Sequence, residues 1–167
     1  MPRSFEVLVE SPTSVEQVHA AFGREDYWLA RFSAFGVTST LDSLTVGADG
    51  TVRVAISQDL RHDVLPAIVA KVYRRDLKIR HCETWRSVGD GRVHGEISVA
   101  VSGAPGSGSG AALVAPAQHG SRLTLTASVE FKVPLVGGTV ENYIAREFAQ
   151  EIPEIQRFTT AWISEHG

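Results

Sequence analysis

Apolar and polar residues alternate from Phe5 to Val9, the period of a half-buried strand, and Ser11-Pro12-Thr13-Ser14 ends the pattern. Ser14 followed three residues later by Gln17 has the spacing of a capping box, and Val15, Val18 and Phe22 recur behind it at helical spacing until Gly23. The segment Asp26 to Phe35, with Tyr27, Trp28, Leu29 and Phe32, reads as a second short helical or looped piece. From Val37 the period changes to two and persists to Val133, which predicts six strands near 36–46, 50–60, 76–88, 91–101, 110–117 and 121–133. Ala48-Asp49-Gly50 and Gly89-Asp90-Gly91 supply residues that tolerate positive φ, as tight hairpins require. Two stretches interrupt the alternation. Residues 103–110, GAPGSGSG, read as a flexible loop by composition, and Asp63 to Tyr73 reads as a short helix with Lys71, Arg74 and Arg75 at or just past its end. After Gly137-Gly138, Val140, Ile144, Phe148, Ile152, Ile155, Phe158 or Thr159, and Trp162 recur at close to 3.6 residues, predicting a long C-terminal helix that bends or pauses near Pro153.

Strands joined by tight turns must be antiparallel, because parallel neighbours need long crossovers. A long helix with one apolar stripe must bury it against a large partner, and the sheet is what the chain offers. The expected class is α+β: an antiparallel curled sheet of about seven strands around a long C-terminal helix, with two short helices after strand one. The 167 residues suffice for one core, so a single domain over 1–167 is expected. This order of elements resembles the START-like or birch-pollen-allergen-like (SRPBCC) helix-grip superfamily. Glu83-Thr84-Trp85, Gly103-Ala104-Pro105, Val133-Pro134-Leu135-Val136-Gly137-Gly138 with Glu141, and Trp162 are similar to motifs of one actinobacterial family of unknown function within it. The resemblance implies a cavity between sheet and helix that takes lipids, polyketides, sterols or other apolar molecules. It carries over no catalytic residue, since the superfamily shares none.

Composition narrows the partners. A net charge of -3 removes the electrostatic basis for nucleic-acid binding. The first ten residues lack the apolar core of a signal peptide, and no apolar run reaches the length of a membrane span, so stable membrane insertion is not expected. Cys82 is the only cysteine, which rules out an internal disulfide and fits a cytoplasmic location.

Candidate chemistry follows from strand parity. On the fourth strand Leu77, Ile79, His81, Glu83 and Trp85 share the inward face, while Lys78, Arg80, Cys82, Thr84 and Arg86 share the other. A His and a Glu among apolar neighbours must be hydrogen-bonded or shifted in pKa. They can serve as a polar anchor in a cavity, as an acid/base pair, or simply satisfy each other. The same parity sends Val54, Ile56 and Gln58 inward on the third strand, Ile97 and Val99 on the fifth, and Leu123, Leu125, Ala127, Val129, Phe131 and Val133 on the seventh. Tyr143, Ile144 and Phe148 close the cavity from the helix, and Leu65, Ile68 and Val69 of the 63–73 segment act as a lid with a basic rim.

No metal is expected, because His81 with Glu83 and His62 with Asp63 lack a third ligand at useful spacing. No cofactor is expected either. The glycines of 103–110 lack the Lys of a phosphate-binding loop, and no GxSxG motif is present. The leading reading is a domain that binds and carries an apolar small molecule or lipid. The alternatives are a cyclase- or hydratase-like enzyme using His81 and Glu83 for proton transfer, and a homodimeric interaction module without a ligand.

Overall fold

The computed structural model describes residues 2–35, 38–60 and 67–166, without the side chains of 68, 69 and 72. Strand β1 (Arg3–Ser11) is followed by helices α1 (Val15–Phe22) and α2 (Glu25–Ala34), then β2 (Ser39–Val46) and β3 (Val52–Leu60). Helix α3 (Ala67–Val72) leads into β4 (Leu77–Gly89), β5 (Arg92–Ser102), β6 (Gly106–Ala117) and β7 (Gly120–Phe131), and α4 (Gly137–His166) ends the chain. The strands form one antiparallel, curled sheet in the order β1-β7-β6-β5-β4-β3-β2, with α4 as its long helix. This is the helix-grip arrangement expected from the sequence.

Local chemistry explains the boundaries. The Ser14 hydroxyl accepts from Gln17 N at 3.2 Å and the Gln17 side chain accepts from Ser14 N at 2.9 Å, so the capping box starts α1 as predicted. In the β4–β5 hairpin Gly89, Asp90 and Gly91 have φ of 93°, 55° and 69°, a run of left-handed residues that a β-branched side chain would strain. Glu141 is buried and accepts from Phe131 N at 2.9 Å, tying the start of α4 to the end of β7.

The main difference from expectation lies in the glycine-serine run. Residues 106–110 are strand, not loop: Gly106, Gly108 and Gly110 take the inward positions and Ser107 and Ser109 the outward ones, so the glycine-serine run is an alternation without inward side chains. Of the lid helix expected over Asp63–Tyr73, Ala67–Val72 is helical, and residues 63–66 lie outside the described residues. Helix α4 runs through Pro153 for 30 residues, so of the expected bend or pause the pause is absent.

The concave face has two unlike ends. At one, Val52, Trp85, Val93 and Val114 meet Val15, Val18 and Phe22 of α1, Tyr27 and Trp28 of α2, and Trp162 and Ile163 of α4, all buried. Aromatic rings interlock there, with Phe22–Trp85 at 4.8 Å and Tyr27 in edge contact with both Trp28 and Trp162 at 5.3 Å. At the other end a smaller cluster of Leu77, Phe131 and Val140 is bordered by partly buried Leu60, Tyr73, Val101, Ala104, Val133 and Ile144.

Candidate ligand site

Strand β4 crosses between these ends, and its inward residues change character along the way. Trp85 is sealed in the packed end at 4% exposure, with its ring over Gly95, its partner on β5. A Cβ at position 95 would lie 2.4 Å from that ring, so only glycine leaves room for it. Glu83, also 4% exposed, uses both carboxylate oxygens: Oε1 accepts from Trp85 Nε1 at 2.8 Å and Oε2 meets His81 Nε2 at 2.6 Å. Burial alone would raise the Glu83 pKa. The His81 hydrogen bond and charge, Arg31 and Trp85 outweigh it and hold the carboxyl at about 2. Glu83 is therefore an ionised, fully occupied carboxylate. His81, with 22% of its side chain exposed, is the member of the chain that other molecules can reach.

Two further elements complete the polar cluster. From α2, the Arg31 guanidinium lies 4.8 Å over the Trp28 ring, and burial disfavours its charge less than Tyr27 and Glu83 favour it, so its pKa is raised. Thr159 of α4 donates to the Ile155 carbonyl at 2.9 Å, which leaves the Tyr27 hydroxyl to donate to Thr159 Oγ1 at 2.6 Å. Desolvation raises the pKa of Glu151 on α4, against the opposing pull of Arg31 and His81. The sequence does not mark Arg31 or Glu151, and it places Thr159 only in the stripe of the long helix. The one available signal was a cation four residues after Tyr27 on the face that carries Trp28, too common a pattern to single out.

Between Glu83 and the buried Leu77 cluster, several apolar inward residues are only partly covered. Ile79 on β4 and Ile97, Val99 and Val101 on β5 are half-buried, as are Ile144 and Phe148 on α4. Opposite Ile97 and Val99 stand Gly110 and Gly108, and α4 lies closest to β1 and β7, to the side of these central strands. This half-covered apolar strip, with His81 beside it, is the candidate hollow.

The structure brings together Ile79, His81, Ile97 and Val99 as the sequence proposed, with Ile56 paired to His81 and Gln58 to Ile79 along β3. Val54 and Ile56 are buried in the core, while Gln58 is half-buried. Two placements need correction. Trp85 does not line the hollow, because the gap at Gly95 lets its ring turn into the aromatic end. Tyr143 is 37% exposed, because the buried side of α4 there passes through Val140, Glu141 and Ala145. Leu65 and the side chains of Ile68 and Val69 lie outside the described residues.

Two surface clefts are outlined by described residues, of about 140 and 120 Å³, one between α1 and the β4–β5 hairpin and one between α1 and the end of α4; neither includes His81. Among the described residues no three His, Cys, Asp or Glu side chains could share a metal, and no helix is long and apolar enough to cross a membrane.

A family model described as a protein of unknown function, DUF2505, matches residues 6–163. The chain belongs to the DUF2505 family. Relatives include an uncharacterised protein of Mycobacterium tuberculosis H37Rv and its counterpart in Mycobacterium bovis, each 38% identical over 171 residues and covering 98% of both chains. Solved structures with this fold include Ara h 8.0201 (TM-score 0.59, 12% identity, 99% of each chain). A protein of Thermus thermophilus also shares it (TM-score 0.59, 13% identity, 100% of this chain and 99% of the other). At such identities the likeness of this DUF2505 chain to them is one of fold.

Proposed function

We propose that the chain binds and carries an apolar small molecule in the hollow between β4–β6 and α4, with His81 meeting a polar group at one end of the ligand. The observation that carries this reading is the row of half-buried Ile79, Ile97, Val99 and Val101 on an inward face whose other end is fully packed. Apolar surface left uncovered beside a well-filled core is what a ligand covers at a net gain. The resemblance to helix-grip proteins points the same way. Native mass spectrometry of freshly purified protein, followed by extraction, tests it: an adduct of small-molecule mass is expected in the wild type and absent from Gly108→Val. Bare protein in both, with no uptake of a fluorescent fatty acid, would remove the reading.

The His81–Glu83 contact of 2.6 Å favours a second reading, an enzyme in which Glu83 orients His81 for proton transfer. Incubating the extracted compound with wild type and with His81→Gln decides between them. Conversion by wild type alone selects the enzyme, and no conversion by either selects the carrier.

A further inference from the structure

Two neighbouring surface features take no part in the hollow. The first is Leu135, in the corner between β7 and α4, with a fully exposed side chain at φ 71°. The Val136 N–H donates to the Pro134 carbonyl at 2.9 Å and closes a three-residue turn around it. Such a turn with positive φ at its centre is rare and strained, and Gly or Asn would hold it more easily. An apolar side chain held in solvent by a strained backbone is an outlier that points to use.

The second is a cationic run. Residues 71–80 carry Lys71, Arg74, Arg75, Lys78 and Arg80 against the single carboxylate of Asp76, in a chain whose net charge is -3. All five cationic residues are exposed. The two features adjoin, because the Tyr73 ring packs edge-on against Phe131 at 5.7 Å and 83°. Arg74 and Arg75 follow directly on Tyr73, and Lys132 and Leu135 follow within four residues of Phe131.

We infer that this end of the molecule docks on an anionic lipid bilayer, with Leu135 entering the boundary between headgroups and acyl chains while Arg74 and Arg75 face lipid phosphates. A projecting apolar residue flanked by long cationic side chains requires no shaped partner, and a bilayer offers charge and apolar depth without one. Exposed Tyr143, on the second turn of α4, has the amphipathic ring that suits the same interface. The proposed carrier function gives the contact its purpose, since the hollow lies at this end, but the docking surface is read independently of it.

Vesicle flotation is the test, using phosphatidylcholine alone and phosphatidylcholine mixed with phosphatidylglycerol, with wild type, Leu135→Gly and the double variant Arg74→Glu, Arg75→Glu. Glycine suits the positive φ, so Leu135→Gly should melt no lower than wild type and loss of binding cannot be blamed on unfolding. Wild type should float only with the mixed vesicles. Leu135→Gly should bind about tenfold more weakly, and charge reversal or high salt should abolish binding. No flotation of wild type with mixed vesicles overturns the inference, as does equal flotation of Leu135→Gly. So does a concentration-dependent dimer that Leu135→Gly dissolves, which would seat a second copy on the tip. Uptake of a fluorescent fatty acid without vesicles reads the hollow separately. Protein that takes the fatty acid and ignores vesicles refutes the docking alone, and protein that does the reverse refutes the carrier function alone.

Discussion

At the packed end of the concave face every inward residue of β3 to β6 meets an aromatic or branched partner, and even a glycine, Gly95, is occupied by the Trp85 ring. At the open end, beside the smaller Leu77 cluster, the same strands carry half-buried Ile79, Ile97, Val99 and Val101, with Gly110 opposite Ile97 and Gly108 opposite Val99. A Cβ placed at Gly108 meets nothing nearer than 3.4 Å, against 2.4 Å at Gly95. Two glycines on one sheet thus differ: Gly95 is filled by the Trp85 ring, while Gly108 would take a Cβ at ordinary contact distance. The packed end holds most of the buried apolar core, and Glu83 marks its border with the half-covered strip.

The largest effect is expected at that border. Glu83→Gln removes the charge that offsets Arg31 and His81 in a buried setting, and should cost about 3–5 kcal/mol in urea unfolding with an unchanged slope. Because the Glu83 pKa is lowered in the fold from 4.5 to about 2, its contribution is present above the unfolded value and fades as pH falls through that window. Wild type should therefore lose stability between these pH values more steeply than Glu83→Gln, and parallel acid profiles would contradict the depressed pKa.

Next come the two glycines. Gly95→Ala forces a Cβ into the Trp85 ring and should cost about 1–3 kcal/mol, while Gly108→Val should be neutral or stabilising by about 0.5–1 kcal/mol and yet lose fatty-acid uptake. Equal destabilisation by both would erase the distinction between the ends. The smallest effect is expected at Glu151, whose raised pKa means that its ionised form opposes folding. Stability should fall as pH rises through its folded pKa, so Glu151→Gln should gain a few tenths of a kcal/mol at neutral pH, after solvent screening, and nothing in acid. A loss of stability at neutral pH would show that its carboxylate is needed.

Much of the fold was legible because its signals are local. The Ser14–Gln17 capping box, the two glycine-rich hairpins and the apolar stripe from Val140 to Trp162 depend on residues a few positions apart. Parity alone placed Ile79, His81, Glu83 and Trp85 on one face, and the His81–Glu83 contact follows from it. What parity could not give was the depth at which each residue sits. Trp85 leaves the hollow because its cross-strand partner is Gly95, a fact of register. Arg31 acts on Glu83 only because α2 brings Tyr27 and Trp28 into the same buried cluster as Trp85, and no spacing in the sequence encodes that approach. At residues 106–110 composition points to a loop because it outweighs period: a strand whose inward side chains are hydrogen atoms leaves no hydrophobic alternation to see.

Hydrogen–deuterium exchange with and without a bound fatty acid tests the division of the concave face most directly. Ligand should slow exchange in residues 77–81, 97–101 and 106–110, which border the hollow, and leave 83–85, 93–95 and 112–114 unchanged because they are already sealed. Protection confined to the second set, or spread evenly over both, would contradict a ligand site at the open end.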